Sequence, residues 1–209
     1  MIAIIDYKAG NLTSVKLAFD AIGAPACITS DPDAIREAER VVFPGVGAAA
    51  AAMRNLREMA LIPIIQQVVN QHTPFLGICL GTQIILEHSE EDGGVDTLGL
   101  IPGNVIRFQP SNRRDKVPHM GWNRVHTTTP HPLLNGIPDN SEFYFVHSYY
   151  PMPGNARNRF AETTYADVTF TAALGHNNVF ATQFHPEKSG RIGLQLLHNF
   201  LSWNPTESA

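Results

Sequence analysis

Charged side chains are scarce in this sequence, and this argues against several classes of protein. They account for 16% of the 209 residues, whereas an average soluble domain has about 25%. The 15 basic and 19 acidic residues give a net charge of −4, and no basic run is longer than Arg113-Arg114. The basic footprint of a nucleic-acid-binding or membrane-surface protein is therefore missing. A surface with few charges instead favours a chain that binds a partner protein.

Cysteines and long hydrophobic runs are also lacking. Two cysteines are too few for a disulfide framework. The longest uncharged stretch, residues 59–86, is interrupted by polar side chains between Gln66 and Thr73, which would lack partners in a bilayer. The N-terminus has no basic leader, and a hydrophobic content of 44% excludes global disorder. We therefore expect a soluble, cytoplasmic protein with one domain over residues 1–204 and a frayed tail over residues 205–209.

What is present is an alternation of short apolar segments with amphipathic ones. Strands are predicted at residues 2–6, 26–29, 40–43 and 74–78, and helices at 11–23, 61–70 and 80–88, with a helix start at 31–32 and a helical turn at 48–52. From residue 93 strands dominate, at 105–108, 123–127, 143–146, 160–164, 169–174 and 179–181, before a closing helix at 190–203. This pattern predicts an α/β fold, with an open, mixed, largely parallel central sheet, flanking helices and a β-rich C-terminal half.

A glycine-flanked cysteine lies between a predicted strand and a predicted helix. In Gly77-Ile-Cys79-Leu-Gly81 the glycines permit the sharp turn of a nucleophile elbow. The following helix then directs its N–H groups at the thiol, which favours the thiolate. We therefore predict that Cys79 is a nucleophile rather than a core cysteine. Cys27 has no glycines around it, and we expect it to lie in the core.

The best candidate for a base is His185, in the segment Phe184-His185-Pro186-Glu187. Pro186 disfavours helical backbone at His185, and in an extended segment residues two apart point to the same side. Glu187 can then hold one imidazole nitrogen while the other faces the thiol. This is the nucleophile, base and orienter arrangement of the hydrolase triads.

A third motif, Pro44-Gly45-Val46-Gly47, follows another predicted strand. Ligand sites in open α/β sheets form beyond the carboxyl ends of the strands, so this turn is expected near Cys79. Backbone N–H groups of Val46 and Gly47, together with that of Leu80, could hold a tetrahedral oxyanion. Pro-Gly turns are common, so this motif alone has little weight.

Together the three motifs resemble the class I, or triad-type, glutamine amidotransferases. The segments at residues 6–12, 118–123 and 144–149 further resemble one subgroup of that family, the glutaminase subunits of imidazole glycerol phosphate synthases in histidine biosynthesis. The resemblance implies Cys79 as nucleophile, His185 as acid and base, and Glu187 as orienter. It implies that glutamine is held by Gly47, Gln83, Ser148 and Tyr149.

The same resemblance implies a partner, a (β/α)8-barrel cyclase subunit that receives ammonia in a heterodimer. Its docking face would include Asn11, Trp122, Tyr144 and Lys188. Trp122 and Tyr144 could instead be packing residues, and Lys188 a solvated charge. The sequence departs from the subgroup at Lys8 and Ala9, where relatives have a glycine-richer turn, and at Thr82, where Met is more usual.

Several alternatives stay open at this point. The chain could be a glutaminase for another synthase, although residues 118–123 argue against that. It could also be a γ-glutamyl hydrolase or cysteine peptidase of the same fold, or a catalytically silent binding subunit. No cofactor is expected, and no metal either, because the other histidines lack ligand spacing.

Overall fold

The computed structural model describes residues 1–112 and 114–205. Its strands are β1 Ile2–Ile5, β2 Ala26–Thr29, β3 Arg40–Gly45, β4 Phe75–Cys79, β5 His88–Ser89, β6 Val95–Asp96, β7 Gly103–Arg107, β8 His119–Thr127, β9 Ser141–His147, β10 Tyr149–Pro153, β11 Arg159–Tyr165, β12 Val168–His176 and β13 Val179–Thr182. Its α-helices are α1 Leu12–Ala21, α2 Pro32–Arg36, α3 Ala49–Glu58, α4 Ile62–Asn70, α5 Leu80–Ile84 and α6 Gly190–Ser202. Short 3-10 helices cover Glu91–Gly93, Pro132–Leu134, Ala156–Asn158 and Pro186–Lys188.

A nine-stranded sheet organises the chain, in the order β2-β1-β3-β4-β13-β12-β11-β8-β9. From β2 to β13 neighbouring strands are parallel, and from β13 to β9 they are antiparallel. A smaller sheet has the order β10-β7-β5-β6. The predicted α/β class, with a mixed sheet, flanking helices and a β-rich C-terminal half, is confirmed.

Both faces of the parallel part of the sheet are covered by helices. Along β1, Ile2 and Ile4 join a core cluster that contains residues of α1 and α6. Ala3 and Ile5 join a second cluster that contains residues of α3 and α4. Successive side chains of a strand point to opposite faces, so the wholly apolar β1 is what a sheet covered on both sides requires.

The helix start predicted at residues 31–32 is confirmed, and a left-handed asparagine forms the turn between β12 and β13. The Asp31 side chain accepts a hydrogen bond from the Asp33 backbone N–H at 2.9 Å, so it caps α2, whose first residue is Pro32. Asn177 has a φ of 52° in the turn between β12 and β13. Asparagine tolerates that conformation better than most residues.

The helical turn predicted at residues 48–52 is confirmed as the first part of α3, which continues to Glu58. Two local predictions are wrong. Helix α5 ends at Ile84 rather than near residue 88. Cys27 is exposed rather than in the core: it lies on the edge strand β2, where Ala26 packs into the core and Cys27 points to the other face.

Two further predictions concern the tail and the membrane. Residues 206–209 of the expected frayed tail lie outside the described residues. Across the two described ranges, we find no helix that combines the length and the apolar character needed to cross a bilayer.

Candidate active site

The turn from β4 into α5 has the geometry of a nucleophile elbow. Cys79 has φ 54° and ψ −106°, a sparsely populated conformation of the kind found at functional sites. A Cβ on Gly81 would lie 1.8 Å from the Phe43 carbonyl oxygen, and one on Gly77 would lie 2.9 Å from the Ala181 Cβ. Glycine is therefore required on both sides of the cysteine, because β3, β13 and α5 approach one another so closely.

The Cys79 thiol is almost buried, with 6% of the residue exposed. Its sulfur donates to the Val146 carbonyl oxygen, at an S–O distance of 3.9 Å. The Gln183 side-chain amide donates to the same sulfur, at 3.8 Å. The sulfur is therefore held by contacts with β9 and with the segment that follows β13.

His185 and Glu187 lie just after β13 and form a buried pair. The imidazole Nδ1 and the carboxylate Oε1 are 2.7 Å apart, and at most 1% of either side chain is exposed. His185 has φ −98° and ψ 94°, the extended conformation predicted from Pro186. The pairing predicted from the spacing of these residues is thus what the structure contains.

The charge state of His185 follows from its neighbours. Burial disfavours the protonated ring, but attraction to Cys79 and the hydrogen bond to Glu187 outweigh burial and raise the pKa of His185 to about 10. Its second ring nitrogen, Nε2, has no hydrogen-bond partner within residues 1–112 and 114–205. At neutral pH His185 is therefore an imidazolium that lies near the Cys79 sulfur, and its Nε2–H is not engaged by any described residue.

A cleft of about 330 Å³ opens next to Cys79. Its lining contains all the residues predicted to stabilise an oxyanion or bind substrate: Val46, Gly47, Leu80, Gln83, Ser148 and Tyr149. It also contains Glu91, Pro118, Val146 and His147. The cleft therefore joins the ends of β3 and β4 to the β9–β10 turn.

The turn after β3 lies beside the elbow because Gly45 and Cys79 are register partners in adjacent parallel strands. Gly47 has a φ of 102° and no atom within 4 Å of a Cβ built on it, among the described residues. A side chain there would be disfavoured by the backbone conformation rather than by crowding. Val46 and Gly47 are exposed and line the cleft.

Gln83, one turn of helix after Cys79, is fixed by two hydrogen bonds. Its Nε2 donates to the Tyr149 carbonyl oxygen at 2.9 Å and to Gln183 Oε1 at 3.0 Å. Because Gln183 in turn donates to Cys79, the side chain predicted to hold the substrate and the nucleophile belong to one hydrogen-bonded group.

Sequence reasoning missed Gln183 and Glu91. Gln183 is two residues before His185, and the period-two argument applied to Glu187 would also have placed it on the same side. Glu91 follows β5, and its Oε2 accepts from the Ala49 backbone N–H at 2.6 Å. Burial raises the pKa of Glu91 above its usual value. No sequence signal points to it, since it reaches the cleft through the small second sheet.

Two further buried histidines, His119 and His147, form a pair beside the cleft. His147 Nδ1 lies 2.7 Å from the Tyr149 carbonyl oxygen, and His119 Nδ1 lies 3.0 Å from His147 Nε2. The carbonyl can only accept, so each ring carries its proton on Nδ1. Burial lowers the pKa of His119 to about 4 and that of His147 to about 3. Both rings are therefore neutral at physiological pH.

Of the four residues predicted for a docking face, the structure brings three together. Trp122 and Tyr144 are register partners in β8 and β9, with ring centroids 6.1 Å apart. Lys188 Nζ lies 6.0 Å from the centre of the Tyr144 ring. Trp122 is 56% exposed. The fourth, Asn11, is half-buried and contacts Glu187 instead: its Nδ2 donates to Glu187 Oε1 at 2.6 Å.

No metal centre is apparent in the described part of the chain, where no group of three or more His, Cys, Asp or Glu side chains is placed to hold an ion. The chemistry available at the cleft is that of a thiol, an imidazolium, a carboxylate and backbone N–H groups. This set is suited to nucleophilic attack on a carbonyl carbon.

Known proteins resemble this chain over almost its whole length. The family model described as glutamine amidotransferase class-I matches residues 4–203. The chain is 51% identical over 205 residues to the imidazole glycerol phosphate synthase subunit HisH of Nitrosococcus oceani, covering 97% of each chain. It is 50% identical over 208 residues to the subunit of the same name from Pseudomonas putida, again covering 97% of each.

Solved structures share the fold at low sequence identity. The structure of PurLQS from Thermotoga maritima matches with a TM-score of 0.73 at 16% identity, over 96% of this chain and 97% of the other. The glutaminase domain of Trypanosoma brucei CTPS, solved with bound acivicin, matches with a TM-score of 0.65 at 16% identity, over 97% and 94%.

Proposed function

Because this chain belongs to the class I glutamine amidotransferase family, we propose that it is the glutaminase subunit of an imidazole glycerol phosphate synthase. In this role it hydrolyses glutamine to glutamate and ammonia in the cytoplasm, through one amidotransferase domain over residues 1–204. The ammonia passes to a (β/α)8-barrel cyclase subunit, which forms imidazole glycerol phosphate and an aminoimidazole carboxamide ribonucleotide. The observation that carries the proposal is that Cys79 lines a cleft and has the buried pair of His185 and Glu187 near its sulfur.

The first step is attack by sulfur. Cys79, as the thiolate that the neighbouring imidazolium stabilises, forms a bond from Sγ to the side-chain amide carbon of glutamine, and the carbonyl electrons move onto oxygen. His185, protonated because its pKa is raised to about 10, donates the Nε2 proton to the amide nitrogen. The C–N bond then breaks, ammonia leaves, and a γ-glutamyl thioester remains on Cys79.

The second step is hydrolysis of that thioester. Neutral His185 now accepts a proton from water through Nε2, and the resulting hydroxide attacks the thioester carbon. The C–S bond breaks, glutamate leaves, and the sulfur and imidazolium return to their starting states. Glu187 holds Nδ1 throughout and stabilises the imidazolium without exchanging the proton.

Both steps pass through an oxyanion, for which we propose the backbone N–H groups of Leu80 and of the segment Val46-Gly47. A single donor of this kind contributes about 10²- to 10³-fold in rate. Glycine at position 47 permits the peptide to turn toward or away from the oxyanion with little strain. We therefore expect weak activity in the isolated chain and activation when the cyclase subunit is bound with its nucleotide ligand.

The cleft lining suggests how glutamine is oriented. Glu91 offers a carboxylate that can pair with the substrate's α-ammonium group, since it lines the same cleft as Cys79. Gly47, Gln83, Ser148 and Tyr149 line the cleft as well, and we propose that Gln83 helps to hold glutamine while the other three contact its amino-acid end.

For the heterodimer, we propose that the cyclase subunit docks on the face formed by Trp122, Tyr144 and Lys188. An exposed tryptophan beside a tyrosine and a lysine is typical of an interface anchor. Trp122→Ala should weaken assembly, measured by titration with the cyclase subunit, by tenfold or more. Alkylation of Cys79 should continue at the wild-type rate. An unchanged dissociation constant would contradict this location.

The function itself is tested by measuring glutamate release from glutamine by the purified chain alone and with the cyclase subunit and its nucleotide ligand. We expect strong stimulation by the cyclase complex and formation of imidazole glycerol phosphate. Glutamate release that the cyclase does not affect would favour a γ-glutamyl hydrolase. Absence of release in the complex would overturn the proposal.

A further inference from the structure

The carboxylate of Glu187 accepts two hydrogen bonds on the same oxygen. His185 Nδ1 lies 2.7 Å from Oε1, and Asn11 Nδ2 lies 2.6 Å from it. Asn11 is 176 residues away along the chain. The other oxygen, Oε2, is buried with no hydrogen-bond partner in the described ranges. Asn11 is thus one of two groups that satisfy a buried carboxylate.

Asn11 makes this contact instead of capping its own helix. It is the residue before α1, where an asparagine side chain usually accepts a backbone N–H bond from the first turn and the backbone is extended. Here the backbone is left-handed, at φ 73° and ψ 7°, and the described part of α1 receives no side-chain cap. The side chain and the unusual backbone are both used to reach Glu187.

A buried carboxylate needs such a donor. A charged group without water must be compensated by hydrogen bonds, and a donor to a charged acceptor forms a stronger bond than one to a neutral group. Lys188, the next residue after Glu187, lies over the Tyr144 ring. The Asn11 amide therefore supplies a hydrogen bond to the same carboxylate oxygen that bonds His185.

We propose that Asn11 is a positioning residue for the acid–base pair, acting through Glu187 and touching neither glutamine nor the reacting atoms. This inference rests on the proposed function and extends the triad by a fourth member. The Asn11 amide holds Glu187, Glu187 holds His185 Nδ1, and His185 Nε2 is left to exchange protons with substrate and Cys79.

The test uses Asn11→Gly, because glycine adopts a φ of 73° without strain and removes the side chain alone. In the complex with the cyclase subunit, kcat for glutamine should fall about tenfold to a hundredfold with KM unchanged, as expected for loss of a bond to a charged group. In a Glu187→Gln background the same change should have no further effect, because coupled residues are not additive. Equal losses in both backgrounds, or a rise in KM at constant kcat, would overturn the proposal.

A matched control separates this effect from general disturbance of the loop before α1. Asn55 Nδ2 donates to the Tyr7 carbonyl oxygen at 3.1 Å, so Asn55→Ala removes an asparagine bond to the same loop without touching Glu187. Its kcat should stay within about twofold of wild type. A loss as large as that of Asn11→Gly would attribute both effects to the loop and reject the positioning role.

A second readout does not depend on glutaminase activity. In a Cys27→Ser background, iodoacetamide alkylation of Cys79 at neutral pH reports how well the imidazolium supports the thiolate. Asn11→Gly should slow alkylation several-fold, and only when Glu187 is present. If wild type does not release glutamate but alkylation responds in this way, the positioning role stands and the proposed function fails. If wild type releases glutamate and Asn11→Gly does not change the alkylation rate, the proposed function stands and the positioning role fails.

Discussion

Cys79 lies in an elbow shaped by glycines, whereas His185 and Glu187 lie in a turn held by hydrogen bonds from distant segments. In the elbow, residues 77–81, the backbone of one element almost touches that of the next, so the shape is set by the absence of Cβ atoms at Gly77 and Gly81. We call residues 183–189 the acid–base arm. Its conformation depends on groups outside itself.

Hydrogen bonds connect the acid–base arm to β9 and also connect residues within the arm. The His185 backbone N–H donates to the Tyr144 carbonyl oxygen at 2.9 Å. The Tyr144 backbone N–H donates to Ser189 Oγ at 3.0 Å, and that hydroxyl donates to the His185 carbonyl oxygen at 2.6 Å. Tyr144 also belongs to the exposed face around Trp122. A substitution that crowds the elbow is therefore expected to destabilise the fold. Loss of one hydrogen bond to the arm is instead expected to lower activity in part.

The largest expected effect is at the elbow. Cys79→Ala should lower glutamine-dependent synthesis by about 10⁴- to 10⁶-fold, as loss of a triad member does. Synthesis from added ammonia should be unaffected, since only the ammonia source is lost. Both are measured in the complex with the cyclase subunit. Cys27→Ala, on the edge strand, is the matched control and should keep full activity. Substantial glutaminase activity in Cys79→Ala would reject the assignment.

The next effects compare two members of the arm. His185→Asn should be nearly as damaging as Cys79→Ala, because the proton carrier is lost. Glu187→Gln should retain at least about tenfold more activity than His185→Asn, since an orienter stabilises the imidazolium without transferring the proton. Steady-state glutamate release gives the ranking. The opposite order would mean that the two roles are exchanged.

Close packing at the elbow predicts a stability effect. Gly81→Ala would place a Cβ 1.8 Å from the Phe43 carbonyl oxygen, and overpacking against backbone should lower the free energy of unfolding by about 3 kcal/mol or more. Gly154→Ala is the control, because a Cβ there would lie 3.5 Å from its nearest neighbour and should change stability by less than about 1 kcal/mol. Urea unfolding measures both. Equal stabilities would show that the elbow can relax.

The last expected effect is a slope rather than a loss, namely the pH dependence that the arm gives to the stability of the folded chain. The pKa of His185 is about 10 in the folded chain, against a usual value of 6.5. The folded state therefore binds the extra proton between these values, so the contribution to stability is complete below about pH 6.5 and is lost as the pH rises toward 10. Between about pH 7 and 9.5, unfolding free energy should fall more steeply for wild type than for His185→Asn. Parallel urea-unfolding profiles would contradict the raised pKa.

The elbow could be predicted from sequence because its determinants are adjacent: two glycines, a cysteine and the change from strand to helix. The pairing of His185 with Glu187 could be predicted for the same reason, from the spacing around Pro186. The bond from Asn11 to Glu187 could not, because it joins residues 176 positions apart and no local pattern encodes it.

The fold predictions that were wrong also failed because no local pattern encodes the feature concerned. The apolar run Ile84-Ile85-Leu86 continues a helical pattern, but the carbonyl groups of these residues accept hydrogen bonds from residues 98–101, which ends α5 early. Strands β5 and β6 have two residues each, too short for a periodic signal. The exposure of Cys27 depends on β2 being the edge of the sheet, which is a property of strand order rather than of residues 26–29.

The neutral pair His119 and His147 offers a spectroscopic reference beside the cleft. Because each ring is fixed in the Nδ1–H tautomer and has a pKa of about 4 or 3, their ¹⁵N chemical shifts should stay constant from neutral to alkaline pH. The His185 resonances should move as the imidazolium loses its proton. In a magnetic resonance titration, a moving signal from this group of three buried histidines can then be assigned to the acid–base arm without mutation.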